Sequence, residues 1–210
     1  MRTWAADDPK AGLMGRKRGV IIDAALRAFL DEGYAGSSVN RIAASAGVSI
    51  KTLYRHFDDK DDLFVAVIQD ACAMVASATD PPWFDQPPLE GLAEAGGEHL
   101  RYFLADDQLA LYRVVTRESQ RFPELGRRYR RDVAGHSLTL LTRYLERWPA
   151  ALREKIGDPG RAAHRFGALL RDDIFETVLH GGPVPDGGEI DRQARDAAAD
   201  LLVLVEAGRL

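Results

Sequence analysis

Residues 38–57 read SVNRIAASAGVSIKTLYRHF, and this stretch decides the fold. Ser38 and Ser49 are each placed to cap a short helix, because serine at an N-cap accepts a hydrogen bond from the first helical turn. Gly47 permits a sharp turn between the two helices, and Val48 can fill the angle between them. Two short helices joined in this way form a helix-turn-helix.

The second helix of this pair has one apolar and one cationic side. Leu53 and Phe57 are four residues apart and predict its buried face. Lys51 and Arg55 each lie two positions from one of them, which turns both cations toward the opposite side. Cationic side chains contact DNA phosphates and base edges, so the pattern favours a DNA-reading helix over a purely structural helical hairpin.

The charge of the chain is uneven. Residues 1–60 hold ten Lys/Arg and seven Asp/Glu, a net of +3, while the other 150 hold 18 and 25, a net of −7. A basic segment on an acidic body indicates a polyanion partner for the N-terminal part alone. The overall composition, 46% hydrophobic and 29% charged over 210 residues, excludes a disordered, collagen-like or repeat-array chain.

Other classes of protein are disfavoured by what the sequence lacks. No apolar run approaches the roughly 18 residues of a membrane helix, and the N-terminus is unlike a signal peptide. The single cysteine excludes an internal disulfide, and the histidines lack metal-ligand spacing. We therefore expect a soluble cytoplasmic protein with no metal, cofactor or enzymatic activity.

Helical periodicity covers most of the chain and predicts an all-α fold. Apolar residues recur at three and four from Ile21 to Phe29, Gly33 ends this first helix, and Asp58 or Asp59 opens a fourth. The proline-rich stretch 81–88 reads as a rigid loop. Later helices are predicted over about 89–104, 108–121, 133–148, 158–180 and 189–207.

The stretch from about residue 16 to residue 65 resembles the N-terminal domain of the TetR family of transcriptional regulators. The residues that carry the resemblance are Ile21, Ala24-Ala25, Phe29, Gly33-Tyr34, Ser38-Val39, Ile42-Ala43, Ala46-Gly47-Val48-Ser49, Thr52-Leu53-Tyr54, His56-Phe57, Lys60 and Asp62-Leu63-Phe64. The resemblance implies a homodimer of about nine helices per chain, with an effector pocket in the C-terminal part. It divides the chain into a flexible arm (1–15), a DNA-binding domain (16–65) and an effector-binding and dimerisation domain (66–210).

The resemblance also implies which residues touch a palindromic or near-palindromic double-stranded operator. The set is Ser38, Asn40, Arg41, Ser49, Ile50, Lys51, Thr52, Tyr54, Arg55, His56 and Lys60. Lys60 matches a phosphate-binding lysine at a helix N-terminus. Lys51 stands where many relatives have a small residue, so it can read a base edge or contact a phosphate. Tyr34 can contact a phosphate or pack in the core, with packing the favoured role.

The C-terminal part resembles one subgroup of TetR-type effector domains through Tyr112-Arg113-Val114-Val115, Glu118-Ser119 and Phe122-Pro123-Glu124-Leu125. The basic run 127–131 reads as an ion-paired surface or a second nucleic-acid patch. Aromatic residues and one threonine are candidates to line a pocket for a largely apolar small-molecule effector, although each alone is more often core: Trp83, Phe84, Phe103, Tyr112, Thr116 and Trp148.

The last two predicted helices carry apolar stripes that we expect to form the dimer interface. The stripe residues are Phe166, Leu170, Ile174 and Val178 in the first helix and Ile190, Ala194, Ala197, Leu201 and Val205 in the second. The alternative is that both stripes pack inward on their own subunit. The sequence thus predicts a ligand-responsive repressor; a DNA-binding regulator acting through a protein partner is the alternative, and a helical-bundle enzyme lacks a converging set of catalytic groups.

Overall fold

The structure, a computed structural model, describes residues 9–73, 80–131 and 135–210, and these residues form helices and connecting turns without a strand. The helices are α1 (Pro9–Gly36), α2 (Val39–Ser45), α3 (Ile50–His56), α4 (Lys60–Ala73), α5 (Pro88–Phe103), α6 (Asp106–Glu118), α7 (Pro123–Tyr129), α8 (Gly135–Glu146), α9 (Ala150–Ile156), α10 (Pro159–Leu179) and α11 (Gly187–Glu206). A 3₁₀ turn covers Pro82–Asp85. The predicted all-α fold is confirmed.

The helices pack into two compact units. The head unit combines the chain up to residue 75 with residues 110–132, and the body unit contains residues 76–109 and 133–210. Helix α6 begins in the body unit and ends in the head unit, so the head is built from two separate stretches of chain. The functional division at residue 65 stays a prediction, since packing divides the chain by a different criterion.

The head unit is built around an apolar core contributed by α1, α2, α3 and α4. Its members, each at most 2% exposed, are Ile21, Ile22, Ala24, Ala25, Phe29, Tyr34, Ile42, Ala43, Leu53, Phe57, Leu63, Phe64, Val67 and Ile68. The ring centroids of Phe29 and Phe64 are 4.9 Å apart, and those of Tyr34 and Phe64 are 5.1 Å apart. Tyr34 is therefore a core residue. The break in α1 falls at Gly33, whose φ of +72° favours glycine, as the sequence predicts.

The body unit is organised by a close crossing of α5 and α11. A Cβ added to Gly96 of α5 would lie 2.7 Å from Leu170 Cδ2 and 3.3 Å from Ala194 Cβ. Glycine at this position therefore lets the helices approach more closely than any other residue would allow. On the other side of α5, Gly91 leaves space for the hydroxyl of Tyr144.

The stripes assigned to a dimer interface lie in this core. Eight of the nine residues are at most 5% exposed within the single chain: Phe166, Leu170, Val178, Ile190, Ala194, Ala197, Leu201 and Val205. They have no surface left to bury against a second protomer. These eight residues therefore fit the alternative in which both stripes pack inward on their own subunit. Ile174 is only half-buried because α10 kinks at Asp172 (φ 31°), which shifts the phase of the stripe and buries Phe175 instead.

Two short helices, α7 and α9, are absent from the sequence prediction. Helix α7 begins with Pro123, and α9 directly follows Pro149. Each proline ends a predicted helix, but proline is also favoured in the first turn of a new one. Helix α1 also begins at Pro9, within the predicted arm.

Candidate DNA-binding face

The turn between α2 and α3 is fixed by local contacts. The Ser49 hydroxyl accepts a hydrogen bond from the backbone N–H of Thr52 at 3.1 Å, which caps α3 as predicted. Ser38 occupies the N-cap of α2 in an extended conformation, but its hydroxyl makes no capping bond there. Gly47 has a φ of +65°, which suits glycine at the turn. These contacts set the angle at which α3 is presented.

Helix α3 is buried on one side and carries unpaired cations on the other. Leu53 is fully buried, whereas Lys51, Arg55 and Tyr54 are exposed, with Tyr54 52% accessible. Within the described part of the chain, no carboxylate oxygen lies within 4.0 Å of the charged nitrogens of Lys51 or Arg55. Their charge is therefore available to a polyanion.

Arg41 of α2 has a partner inside the chain. Its guanidinium pairs with Glu32 and donates to the carbonyl of Gly36 at 3.0 Å, so it also holds the turn between α1 and α2. The side chain remains 64% exposed. Its neighbour Asn40 is exposed and Ser38 is half-buried. The predicted DNA contact of Arg41 would have to share or replace its internal ion pair.

Lys60, the first residue of α4, is held at the edge of the head core. Its Nζ donates to the Ser37 carbonyl at 2.7 Å and lies 4.6 Å from the centre of the Tyr34 ring. Burial lowers the pKa of this amine, while the carboxylates of Glu118 and Glu32 raise it. The Tyr34 hydroxyl donates to Asp61, the next residue of the same helix.

His56, at the C-terminal end of α3, lies among cations from two helices. Its Nε2 is buried without a hydrogen-bond partner. Burial lowers the pKa of the imidazole most, and the charges of Arg55, Arg18 and Lys17 lower it further. The Arg18 guanidinium lies 5.4 Å from the centre of the Phe57 ring. Lys17 and Arg18 are absent from the residues predicted to touch DNA; their only signal in the sequence is the run of three basic residues, 16–18, directly before the apolar period of α1.

The motif that resembles a TetR effector subgroup packs against the break in α1. Arg117 and Glu118, which pair at 3.3 Å, lie beside Gly33, and Glu118 is only 7% exposed. The Phe122 ring centroid is 4.9 Å from that of Tyr34. Helix α7 then packs on α4. The end of α6 thus contacts the same turn that positions Lys60.

Two arginines of the basic run 127–131 form ion pairs within α7. Glu124 forms ion pairs with Arg127 at 2.8 Å and Arg128 at 3.2 Å, one turn apart on the helix surface. These hydrogen-bonded guanidinium groups lower the pKa of the Glu124 carboxyl. The ion-paired interpretation therefore fits these two arginines.

The candidate effector residues fall into separate groups. Trp83, Phe84 and Trp148 surround the buried ring of Tyr144, with centroid separations of 5.4, 5.7 and 5.9 Å. The Tyr144 hydroxyl lies 3.1 Å from the carbonyl oxygens of both Gln86 and Pro87, which fixes the proline-rich loop.

The other three candidates lie elsewhere. Phe103 stacks on His99 at 5.1 Å in the body unit, whereas Tyr112 lies 6.2 Å from Tyr129 in the head unit. Thr116 is exposed. None of the six lines the two open depressions of about 370 and 480 Å³ formed in the head unit by residues near 58–62 and 121–128. Their role toward an effector stays a prediction.

Comparison with known proteins places the chain in a family. Residues 21–67 match the family model of bacterial regulatory proteins, tetR family, and residues 90–203 match that of the AefR-like transcriptional repressor C-terminal domain. The chain belongs to the TetR family. It is a DNA-binding transcriptional regulator, and the resemblance found in the sequence is confirmed.

TetR-family relatives resemble the chain over most of its length. The HTH-type transcriptional repressor AcnR of Corynebacterium diphtheriae is 27% identical over 192 residues, which cover 87% of this chain and 88% of AcnR. The structure of the flavonoid-responsive regulator FrrA has a TM-score of 0.73 and 28% identity, covering 90% of this chain and 96% of that one. A TetR-family structure from Mesorhizobium loti, 24% identical, shares the fold with a TM-score of 0.78 over 91% and 97% of the two chains.

Two structural findings bear on other classes of function. Among the described residues no helix is both long and apolar enough to span a bilayer. The described part of the chain also holds no group of three or more histidine, cysteine or acidic side chains arranged to bind a metal ion.

Proposed function

We propose that this chain is a repressor that binds a palindromic operator as a twofold dimer. The observation that carries the proposal is the exposed, unpaired cationic side of α3, opposite its buried Leu53. A dimer places one such helix in each of two successive major-groove turns, about 34–36 Å apart. The acidic remainder of the chain makes this face the natural point of contact for DNA.

The dimer would use the outer faces of α10 and α11. The inner faces are already buried in the chain, whereas Val203 of α11 is 63% exposed and Ala199, one turn before it, is exposed as well. Ala168 of α10 is also exposed and small. Small and apolar residues on the outer faces let two helix pairs pack closely, and an obligate interface of this kind buries about 2,000 Å² or more.

The effector would be a small, planar and largely apolar molecule that binds the body unit. Similarity to a regulator described as flavonoid-responsive supports this chemistry, as does the aromatic cluster around Tyr144. Helix α6 starts in the body unit and ends in the head unit, where Arg117 and Glu118 lie beside Gly33 and the following Phe122 packs on Tyr34. A shift of α6 would therefore reach the turn that positions Lys60. The effector needs only different affinities for the DNA-bound and released states.

Selection of bound fragments from random duplex DNA tests the proposal. We expect one enriched palindromic sequence, bound by a dimer with strong salt dependence. Failure to enrich any sequence would contradict it. The enriched operator is then bound to the protein and titrated with flavonoids and with apolar non-planar compounds. Release by none of them would favour the alternative, a regulator that acts through a protein partner.

A further inference from the structure

Three cations from two helices lie near enough to His56, at the C-terminal end of α3, for their charges to lower the pKa of its imidazole. Lys17 and Arg18 come from α1, and Arg55 and His56 from α3. The Arg18 guanidinium lies 5.4 Å from the centre of the Phe57 ring, and this contact holds the Arg18 side chain against the end of α3. A guanidinium over an aromatic face is held by a cation–π contact.

Among the described residues, no ion pair neutralises the cations of this cluster. In the part of the chain that the structure describes, no carboxylate oxygen lies within 4.0 Å of the charged nitrogens of Lys17, Arg18 or Arg55. By contrast, Arg41 of the same unit is paired with Glu32. Like charges held close together repel each other, and this repulsion is relieved when an anion binds between them.

We propose that Lys17 and Arg18 form, with Arg55 and His56, a phosphate-binding cluster that grips the DNA backbone next to the bases read by α3. The inference rests on the proposed DNA-binding function and adds residues of α1 to it. Arg18 is already oriented by Phe57, so little side-chain entropy is lost when it meets a phosphate. The ring of His56 is half-buried beside this cluster, and among the described residues its Nε2 has no hydrogen-bond partner.

A proton would be taken up when the phosphate binds. In the free protein, burial and the charges of Arg55, Arg18 and Lys17 all lower the pKa of His56, so the neutral imidazole is favoured. A phosphate neutralises these charges and favours the protonated imidazole. Linkage then requires affinity for DNA to rise as the pH falls through the range in which His56 titrates.

The test measures fluorescence anisotropy of the selected operator between 0.05 and 0.5 M salt, about one decade in concentration. The double variant Lys17→Gln/Arg18→Gln is compared with Arg27→Gln/Lys155→Gln, which removes the same charge. Arg27 lies nine residues after Arg18, two and a half helical turns along α1 and thus on its opposite face. Because loss of Arg18 could disturb Phe57, Lys17→Gln alone is measured as well, with helicity and melting checked by circular dichroism.

Each lost phosphate contact lowers the slope of log K against log salt by about 0.9, so the double variant should lose about 3.6 per dimer and Lys17→Gln about 1.8. Both should bind at least about tenfold more weakly at 0.1 M salt, while the control keeps the wild-type slope. Between about pH 7.5 and pH 5 the wild-type affinity should rise more steeply than that of His56→Gln, because the pKa of His56 in the free protein lies below its ordinary 6.5.

Two results would overturn the inference while leaving DNA binding intact: a double variant with the slope of the control, or equal pH dependence of wild type and His56→Gln. A wild-type protein that binds no duplex would instead overturn the proposed function, and this inference with it.

Discussion

Replacing Lys60 by alanine should have two separate effects. It should lower the free energy of unfolding of the free protein, and it should weaken binding to DNA. In the free protein, the Nζ of Lys60 donates to the Ser37 carbonyl at 2.7 Å and lies over the Tyr34 ring at 4.6 Å. A hydrogen bond from a charged donor contributes about 1.5–3 kcal/mol, and a cation–π contact at a partly exposed site about 0.5–1 kcal/mol. Release of the amine from its partly buried position offsets some of this loss, because burial disfavours the charged form. We expect the free energy of unfolding to fall by about 1–2 kcal/mol.

The effect on DNA binding is a smaller dependence of affinity on salt concentration. If Lys60 moves from Ser37 to a phosphate in the complex, its loss removes one contact per protomer. The slope of log K against log salt should then fall by about 1.8 per dimer, evenly across operator sequences. Lys60→Arg should keep most of the slope, since the charge remains.

Urea denaturation and anisotropy titrations against salt measure the two effects on the same preparation. Lys155→Ala is the matched control, because Lys155 is an exposed lysine of the body unit. An unchanged salt slope for Lys60→Ala would refute the phosphate contact. An unchanged free energy of unfolding would refute the view that the Ser37 and Tyr34 contacts stabilise the head.

Three more predictions rest on individual side chains. Lys51→Ala should alter base preference at one operator position, by about 1–3 kcal/mol, whereas Tyr54→Ala should lower the affinity for all operator sequences equally. Competition against single-base operator variants distinguishes these two effects. Burial, reinforced by Arg171, lowers the pKa of His99 to about 4 from 6.5, so the unfolded chain takes up the proton first and stability should fall between pH 6.5 and pH 4. Urea denaturation at several pH values checks this, and a parallel curve for His99→Gln would contradict it. Val203→Asp should shift the dimer toward monomer in sedimentation velocity without unfolding the chain; a dimer of unchanged affinity would place the interface elsewhere.

The features that the sequence predicts well are those set by neighbours in the chain. The Ser49 cap, the Gly47 turn and the burial of Leu53 each depend on residues within four positions. The break at Gly33 is likewise local, since a positive φ strongly favours glycine. For this reason the amino-acid sequence alone predicts the helix-turn-helix and its exposed cations.

Contacts between distant residues account for the errors. An apolar stripe shows that a helix buries one face, but not whether its own chain or a partner covers that face; here α5 covers Ala194. The Ser37 partner of Lys60 is 23 residues away, and Lys17 has no periodic pattern to mark it. The kink at Asp172 shifts the phase of α10 in a way that an ideal period of 3.6 cannot anticipate.

The split construction of the head matters for protein engineering. A fragment ending at residue 75 would lack Phe122 and Leu125, and would leave Tyr34 and the outer face of α4 open to water. Such a fragment should aggregate or bind DNA poorly even with every recognition residue intact. A chimeric biosensor that borrows this chain's operator specificity should therefore carry residues 110–132 along with residues 1–75. The second regulator, which provides the ligand specificity, should replace only residues 76–109 and 133–210.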